Sequence, residues 1–497
     1  MSELYTIKIN FRGGIISPGD LYNVLVVTTR AGIRNVSFGL RQQLLIHIRP
    51  EKLKILTKGL EELNIPYEND KDEFPNIVSS YPAEEVFINN TWLSEGVYKD
   101  IFDGMEQQPR LKINVSDSNQ SFTPLLTGNI NWVASASAQH FWHLFIRFPK
   151  TNTVYEWNEI VYTNDVPRLS GEIESIIFRH KGMFYDNVFA RGEQLFEMID
   201  TSRFITKPSG KQAVLPAFNL PYYEGLNRYN NKYWLGVYRR DELFGVDFLK
   251  EVCMLCLDTK IGLLCSTPWK SIIIKGIGEK DKDKWARLLE KHDINMRHAA
   301  NELNFQVEDD SEEALQLKQF LVKRLNDDDT RTFGVCIGIK TRKKTEIFCN
   351  ILVRRKSLIS LWGIKLFHLY DILCANEFNP NERTGAVFSS NNPKCWLGEQ
   401  LRRSILSFAK YRAGIHEVKQ NKPAAEKEKP GKLVVHIVHQ CKHCLSIYDE
   451  SVGEPETGIK AGTTFESLPG DYNCVLCEAP KTDFVKTNKE KLGLQAV

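Results

Sequence analysis

The sequence lacks several features that mark specialised classes of protein. It has no run of about 18 apolar residues, so we expect no transmembrane helix and no membrane insertion. Its first residues show no basic stretch followed by an apolar run, so we expect no signal peptide. The 65 Lys and Arg residues nearly balance the 62 Asp and Glu residues. The net charge of +3 therefore gives no reason to expect nucleic acid as a partner.

The cysteines are unevenly distributed along the chain. The 497 residues include eleven cysteines. This count is not even and is spread over a long chain, which argues against a secreted fold held by disulfides. We therefore expect a reducing, cytoplasmic setting. Four of the eleven form two C-x-x-C pairs within the last 60 residues. This cluster is the strongest chemical signal in the sequence.

One polar stretch divides the chain into a body and a tail. Residues 416–432 are rich in Lys, Glu, Pro and Ala and contain almost no large apolar side chain, which predicts a flexible linker. The tail is then 433–497. The body, about 415 residues long, is large enough for more than one domain.

The body repeats one order of strands and helices. Residues 5–70 and 233–295 each show a β-α-β-α pattern, which predicts an internal duplication with sheets that carry helices on one face. A longer α/β segment follows each unit. The predicted divisions of the body are 1–72, 73–230, 231–295 and 296–415.

The four cysteines of the tail have the spacing of a metal site. A two-residue spacer lets both sulfurs of a pair converge on one side of a tight turn, and two facing turns form a tetrahedral site. This geometry suits iron or zinc, and the spacing alone does not choose between them. The predicted ligands are Cys441, Cys444, Cys474 and Cys477.

The tail resembles rubredoxin between and around these cysteines. The matching residues are Tyr448-Asp449, Gly453-Glu454-Pro455, Gly458-Ile459, Gly462-Thr463, Phe465, Leu468-Pro469, Ala479-Pro480-Lys481 and Phe484. The resemblance covers 435–485 and implies a three-stranded fold around one iron ion, held by the four cysteines, that carries one electron between Fe(II) and Fe(III). It also implies a small aromatic core of Tyr448, Phe465, Tyr472 and Phe484.

The tail departs from rubredoxin at four positions. Leu445 and Glu478 occupy places where rubredoxins usually have Gly, Val475 replaces a usual Pro, and Tyr472 replaces a usual Trp. These changes bear on the redox potential and on the preference for iron rather than on the fold. A purely structural zinc is the alternative to iron. With either metal, so short a domain needs a metal to hold it together.

The body resembles the siroheme-dependent sulfite and nitrite reductases. Five segments carry the resemblance in the order of that family: RGGII at 12–16, RNVSFGLRQ at 34–42, NIVSSYP at 76–82, PRLKI at 109–113 and STPWK at 266–270. The resemblance spans about 5–415. It implies an α+β fold with two ferredoxin-like half-repeats, 1–72 and 231–295, each followed by a segment of the haem-pocket type.

The same resemblance implies a set of cofactor-binding cations. In that family, Arg and Lys residues of these segments bind the carboxylates of siroheme and the substrate anion, and Arg can pair with a carboxylate through two hydrogen bonds. Solvated charges at strand ends are the alternative interpretation. The candidates are Arg41, Arg110 and Lys112, with Arg12 and Arg34 in support.

The body lacks the cysteines that this family uses. The reductases hold a [4Fe–4S] cluster through a C-x5-C and a C-x3-C, and no pair here has either spacing. We therefore expect no [4Fe–4S] cluster and name no catalytic residue. Cys253 and Cys256 lie in an apolar, helix-like run and are predicted to be core residues.

The sequence thus favours an electron carrier over a complete reductase. We expect one-electron transfer through the tail, with the body making the chain a redox partner or accessory in nitrite or sulfite assimilation. The expected partners are redox proteins, namely a reductase and an electron donor. Two alternatives stay open: a siroheme-containing reductase fed by its own rubredoxin domain, and an interaction protein whose tail is stabilised by zinc.

Overall fold

The first half of the body follows the predicted alternation of strands and helices. The computed structural model describes residues 4–87, 91–296, 300–342, 348–361, 364–420, 437–443, 446–454, 457–475 and 479–488. The strands of this half are β1 (Tyr5–Ile9), β2 (Ile15–Ile16), β3 (Asn35–Phe38), β4 (Leu44–Ile48), β5 (Glu68–Asn69), β6 (Val78–Ser79), β7 (Ile113–Ser116), β8 (Ile130–Ala134), β9 (Phe141–Ile146), β10 (Tyr155–Tyr162) and β11 (Thr206–Pro208). Its helices are α1 (Pro18–Arg30), α2 (Pro50–Glu62), α3 (Glu95–Asp103), α4 (Val166–Arg179) and α5 (Gly192–Phe196).

The second half repeats this order. Its strands are β12 (Gly225–Tyr229), β13 (Lys232–Val237), β14 (Phe244–Gly245), β15 (Leu264–Ser266), β16 (Ile272–Ile277), β17 (Phe305–Val307), β18 (Ile337–Lys340), β19 (Ile351–Leu361), β20 (Ile364–Ala375) and β21 (Gly385–Asn392). Its helices are α6 (Val246–Asp258), α7 (Lys282–Lys291), α8 (Glu312–Asp327) and α9 (Lys394–Gln420). Since α9 extends to Gln420, the first five residues of the predicted linker, 416–432, are helical rather than flexible. The rest of that linker lies outside the described residues.

The two halves exchange one short strand each. The smaller sheets have the orders β14-β3-β4-β1-β5 and β12-β13-β16-β15-β2. Strand β2 belongs to the first half but pairs with β15, whereas β14 belongs to the second half but pairs with β3. Each exchanged strand directly precedes a helix, α1 or α6. The exchange is therefore reciprocal, as expected of a duplicated unit that packs against its copy.

The larger sheets carry the duplication through the rest of the body. Their orders are β11-β10-β9-β8-β7-β6 and β17-β18-β19-β20-β21. In both sheets the first three strands along the chain pair in parallel and the next two pairings are antiparallel. One helix, α3 or α8, lies between the first two strands of each sheet in sequence. The predicted duplication is confirmed, and it includes both α/β segments.

One apolar core joins the two smaller sheets. Helices α1 and α6 pack against each other, and both contribute side chains that are almost fully buried, such as Leu21 and Leu249. Cys253 and Cys256 lie in this core with no exposed surface, as predicted. Burial raises the pKa of the Cys253 thiol to about 12, so it stays protonated and behaves as a small apolar residue.

A buried ion cluster ties α8 to the second smaller sheet. The carboxylate of Glu242 lies 2.7 Å from the ammonium nitrogen of Lys270 and 2.9 Å from that of Lys318. Burial opposes ionisation of Glu242, but the two ammonium groups outweigh it and lower its pKa to about 2. Because one carboxylate serves two buried cations, its loss would leave both without their shared counter-ion.

The C-terminal unit, 418–497, forms a small three-stranded sheet. Its strands are β22 (Ile437–Cys441), β23 (Ile447–Tyr448) and β24 (Phe484–Asn488), in the order β23-β22-β24. The predicted aromatic core is present. The buried side chains of Tyr448, Phe465 and Tyr472 form it together with Leu468, and Phe484 packs against them. In the described part of the whole chain, none of the helices has the length and apolar character needed to cross a membrane.

Replacing Glu242 with Gln should destabilise the body. The variant leaves buried Lys318 beside a neutral side chain and Lys270 with Asp309 alone, 3.4 Å away, so we expect the free energy of unfolding to fall by about 3–5 kcal/mol. Urea unfolding followed by tryptophan fluorescence measures this, because all nine tryptophans precede the tail. The folded pKa of Glu242 is below the unfolded value of about 4.3. Its contribution is therefore complete above that pH and is lost as the pH falls through about 2.

The exposed pair of Glu251 and Lys291 provides the control for this measurement. These side chains are also 2.8 Å apart, but the Lys291 side chain is 64% exposed. Glu251→Gln should change the free energy of unfolding by less than about 1 kcal/mol. Equal losses for the two Glu variants would contradict the role assigned to the buried cluster.

Candidate metal centre and body cleft

The two C-x-x-C turns of the tail are closed in the same way. The backbone nitrogen of Cys441 donates a hydrogen bond of 2.8 Å to the carbonyl oxygen of Ser446. The backbone nitrogen of Cys474 donates one of 2.8 Å to the carbonyl oxygen of Ala479. In both turns the acceptor lies five residues after the first cysteine, so the turns are structural equivalents.

The two turns also approach each other. Cys441 and Cys474 are buried, with 0% and 1% of their surface exposed. The hydroxyl oxygen of Ser446, on the first turn, lies 2.9 Å from the sulfur of Cys474 on the second. Two facing turns that each carry a buried sulfur fit a metal bound by thiolates. Cys444 and Cys477 lie outside the described residues. Among the residues that are described, no group of three or more His, Cys, Asp or Glu side chains is placed to hold a metal ion.

At one of the positions where the tail departs from rubredoxin, Tyr472, the side chain has a hydrogen-bond partner. Its hydroxyl donates a hydrogen bond of 2.9 Å to the carboxylate of Glu454, and its ring belongs to the small core. Burial and this bond raise the pKa of the Tyr472 phenol. Tyr472 thus supplies core packing together with a polar anchor. Leu445 and Glu478 lie outside the described residues.

In the body, two of the five predicted cations face a common space. Arg41 and Lys112 both line a cleft of about 230 Å³, which we call the body cleft. The other three lie apart. The guanidinium of Arg110 stacks 4.1 Å from the ring centre of Phe178, Arg12 donates a hydrogen bond to a backbone carbonyl near the end of α3, and Arg34 is exposed before β3. The structure therefore does not assemble the full predicted set.

Arg41 is bound by the main chain of the fold. Its guanidinium donates hydrogen bonds of 3.0 and 2.7 Å to the carbonyl oxygen of Asn76, and one of 3.0 Å to that of Ile113. These carbonyls belong to the segments that lead into β6 and β7. Arg41 thus fixes the edge of the larger sheet to the loop between β3 and β4.

The duplication reveals what occupies the equivalent place in the second half. The loops 39–43 and 267–271 are closed by matching backbone hydrogen bonds, and their fourth residues, Gln42 and Lys270, both have a positive φ, of 62° and 54°. Trp269 is therefore the counterpart of Arg41. It is buried, and its indole nitrogen donates to the carbonyl oxygen of Phe122. The second loop thus packs an aromatic side chain where the first presents a cation.

The size and charge of the body cleft do not fit siroheme. Siroheme is larger than a drug-sized ligand, for which pockets measure roughly 300–1,000 Å³, and it carries eight carboxylates. The lining combines cations with carboxylates that would repel such a polyanion. The charged lining residues are Lys8, Arg41, Lys112 and Arg342, with Asp72, Asp309 and Asp310. The assignment of the five predicted cations to siroheme stays a prediction, since Arg110 lines a separate cleft of about 830 Å³.

The tail matches known proteins over most of its length. Its facing cysteine turns, three strands and aromatic core define a small metal-binding domain. A sequence model of the Rubredoxin family matches 438–484. Rubredoxin 4 of Rhodococcus sp. (strain Q15) is 43% identical over 54 residues, which are 11% of this chain and 90% of that protein. Rubredoxin-2 of Pseudomonas aeruginosa is 51% identical over 45 residues, 9% of this chain and 82% of that protein. Through this domain the chain belongs to the rubredoxin family, whose members bind an iron ion through cysteines.

The body matches a solved structure over most of the chain. The structure of the Mycobacterium tuberculosis NirA protein covers 82% of this chain and 81% of its own, with a TM-score of 0.60 and 14% sequence identity. A likeness at this level of identity shows the fold. The body thus has a NirA-like fold, as its resemblance to the nitrite and sulfite reductases predicted.

Sequence reasoning missed Ser446 as a member of the site. Nothing in the sequence marks it, because its hydroxyl reaches a cysteine 28 residues further along the chain. The structural role of Arg41 was also hidden, since its acceptors are 35 and 72 residues away. Both contacts depend on turns and strands that come together only in the folded chain.

Replacing Arg41 with Ala should weaken the fold of the body. The change removes charge-assisted hydrogen bonds and leaves the carbonyls of Asn76 and Ile113 unsatisfied, so we expect the free energy of unfolding to fall by about 2–4 kcal/mol. Arg41→Lys should recover only part of this, because a single ammonium cannot copy the planar fork of the guanidinium. Tryptophan-monitored urea unfolding is again the measurement.

Arg34→Ala is the control, since Arg34 is an exposed cation that lies just before β3, whereas Arg41 follows β3. We expect a change within about 0.5 kcal/mol, as for an ordinary surface substitution. If Arg41→Ala behaved like Arg34→Ala, its hydrogen bonds to the main chain would have no structural role.

Proposed function

We propose that the C-terminal domain holds one iron ion through Cys441, Cys444, Cys474 and Cys477 and passes single electrons to a redox protein partner. The observation that carries this proposal is the rubredoxin match over 438–484 on two equivalent, facing cysteine turns. Iron bound by four thiolates supplies one-electron exchange between Fe(II) and Fe(III). The burial of Cys441 and Cys474 supports this by limiting the access of water.

The body indicates which reaction this electron carrier would serve. Its NirA-like fold supports a role beside nitrite or sulfite reduction, as an accessory or redox partner of a reductase. Because the tail is covalently joined to the body, any reductase or electron donor that docks on the body meets the iron domain at a raised effective concentration. The proposed partners are therefore redox proteins.

The NirA-like fold also favours a second candidate, a siroheme-containing reductase that takes electrons from its own rubredoxin domain. The carboxylates of the body cleft and its volume of about 230 Å³ oppose siroheme binding in that cleft, whereas Arg110 lines a larger cleft of about 830 Å³. A visible spectrum of the purified full chain separates the two. A Soret band with extracted tetrapyrrole supports the reductase, whereas Fe(III)–thiolate bands without tetrapyrrole support the carrier.

We expect the full chain, expressed with sufficient iron, to contain about one iron per chain and to accept one electron per iron, as four-thiolate iron sites do. Metal analysis and reductive titration of the visible bands measure this. Cys474→Ser should abolish the bands, because it removes a buried ligand. Cys395→Ser, which changes an exposed cysteine of the body, should leave them intact. A colourless protein that contains one zinc per chain would overturn the redox function in favour of a structural metal.

A further inference from the structure

One hydroxyl group links the two cysteine turns of the tail. Ser446 belongs to the first turn, where its carbonyl oxygen accepts the closing hydrogen bond from Cys441. Its side chain points across to the second turn, with the hydroxyl oxygen 2.9 Å from the sulfur of Cys474. The backbone bond thus holds the hydroxyl in place beside a sulfur of the opposite turn.

This contact is asymmetric. The residue equivalent to Ser446 in the second turn is Ala479, which has no hydroxyl to offer to Cys441. Another hydroxyl close to Cys474 in sequence, that of Tyr472, donates instead to the carboxylate of Glu454. Among the described residues, these contacts place the hydroxyl of Ser446, rather than that of Tyr472, beside the sulfur of Cys474.

The direction of this hydrogen bond follows from the chemistry of a metal ligand. A thiolate bound to a metal has no proton, so the hydroxyl of Ser446 must donate and the sulfur of Cys474 must accept. Cys474 is 1% exposed, and water competes little for a buried sulfur, which strengthens the bond. Reduction of the iron adds one negative charge to the site, and that charge is shared by the sulfurs. A donor to sulfur therefore stabilises the reduced form more than the oxidised form.

We propose that Ser446 is a positioning residue that sets the reduction potential of the iron site, by donating an O–H···S hydrogen bond to the Cys474 thiolate. This inference rests on the proposed function, because it requires iron at the four cysteines. The reaction that it tunes is the gain of one electron by Fe(III) from a one-electron donor protein. No proton is transferred, since the Ser446 hydroxyl keeps its hydrogen in both states.

The test compares Ser446→Val with Ser446→Thr, which have the same shape and differ only in the hydroxyl. At an ambient potential fixed at the wild-type midpoint, we expect the ratio of reduced to oxidised iron to fall about three- to tenfold in S446V. A tenfold change corresponds to 59 mV for one electron. S446T should stay near wild type. Redox titration of the visible bands measures both, and Ser446→Ala replaces S446V if the latter does not bind iron.

Two further measurements separate the hydrogen bond from a general disturbance of the domain. Exchange into heavy water should shift the Fe–S stretching bands of wild type and S446T more than those of S446V. Ser451→Ala, which removes an exposed hydroxyl bonded to Asp449, should leave the potential unchanged. Equal potentials in S446V and S446T, with their iron bands intact, would overturn this inference and leave the proposed function in place. A wild-type protein without iron bands would overturn both.

Discussion

The exchange of β2 and β14 between the two halves is the constraint on which the body depends. Each strand has only two residues, yet each completes the edge of the other half's smaller sheet. The same exchange brings α1 against α6, so that one apolar core serves both sheets. Neither half can bury that core alone, because each lacks the strand and the helix face that the other supplies. This explains why the contacts of residues 1–417 form one unit rather than two.

The body cleft follows from this arrangement. Arg41 and Lys112 reach it from the first half, whereas Pro268 and Asp309 reach it from the second. A duplicated fold presents two equivalent loops, and here they have diverged: one carries Arg41 and the other a buried Trp269. The retained arginine bonds to the main chain of the larger sheet. Arg41 thus contributes to the architecture of the body.

The sequence predicted those features that depend on local periodicity or on spacing. The alternation of strands and helices and the cysteine pairs each show in short stretches of the chain, and the duplication shows because the same alternation occurs twice. The strand exchange could not be predicted, because two residues such as Ile15 and Ile16 are too few to show a period. The first residues of the predicted linker are helical, because their polar composition also suits the end of a helix. The set of cations failed to converge because each position was judged by its own motif, whereas convergence depends on how separate segments pack.

The two units differ in how far apart in the sequence the residues of a site lie. The rubredoxin-like fold of the tail depends on short turns and a small core, so it tolerates changes such as Tyr472, whose ring still fills the core while its hydroxyl binds Glu454. A tetrapyrrole site is assembled from many distant segments, and a few carboxylates placed among its cations are enough to change what it can bind. The cysteine turns of the tail therefore depend on fewer and closer residues than any site assembled from separate segments of the body would.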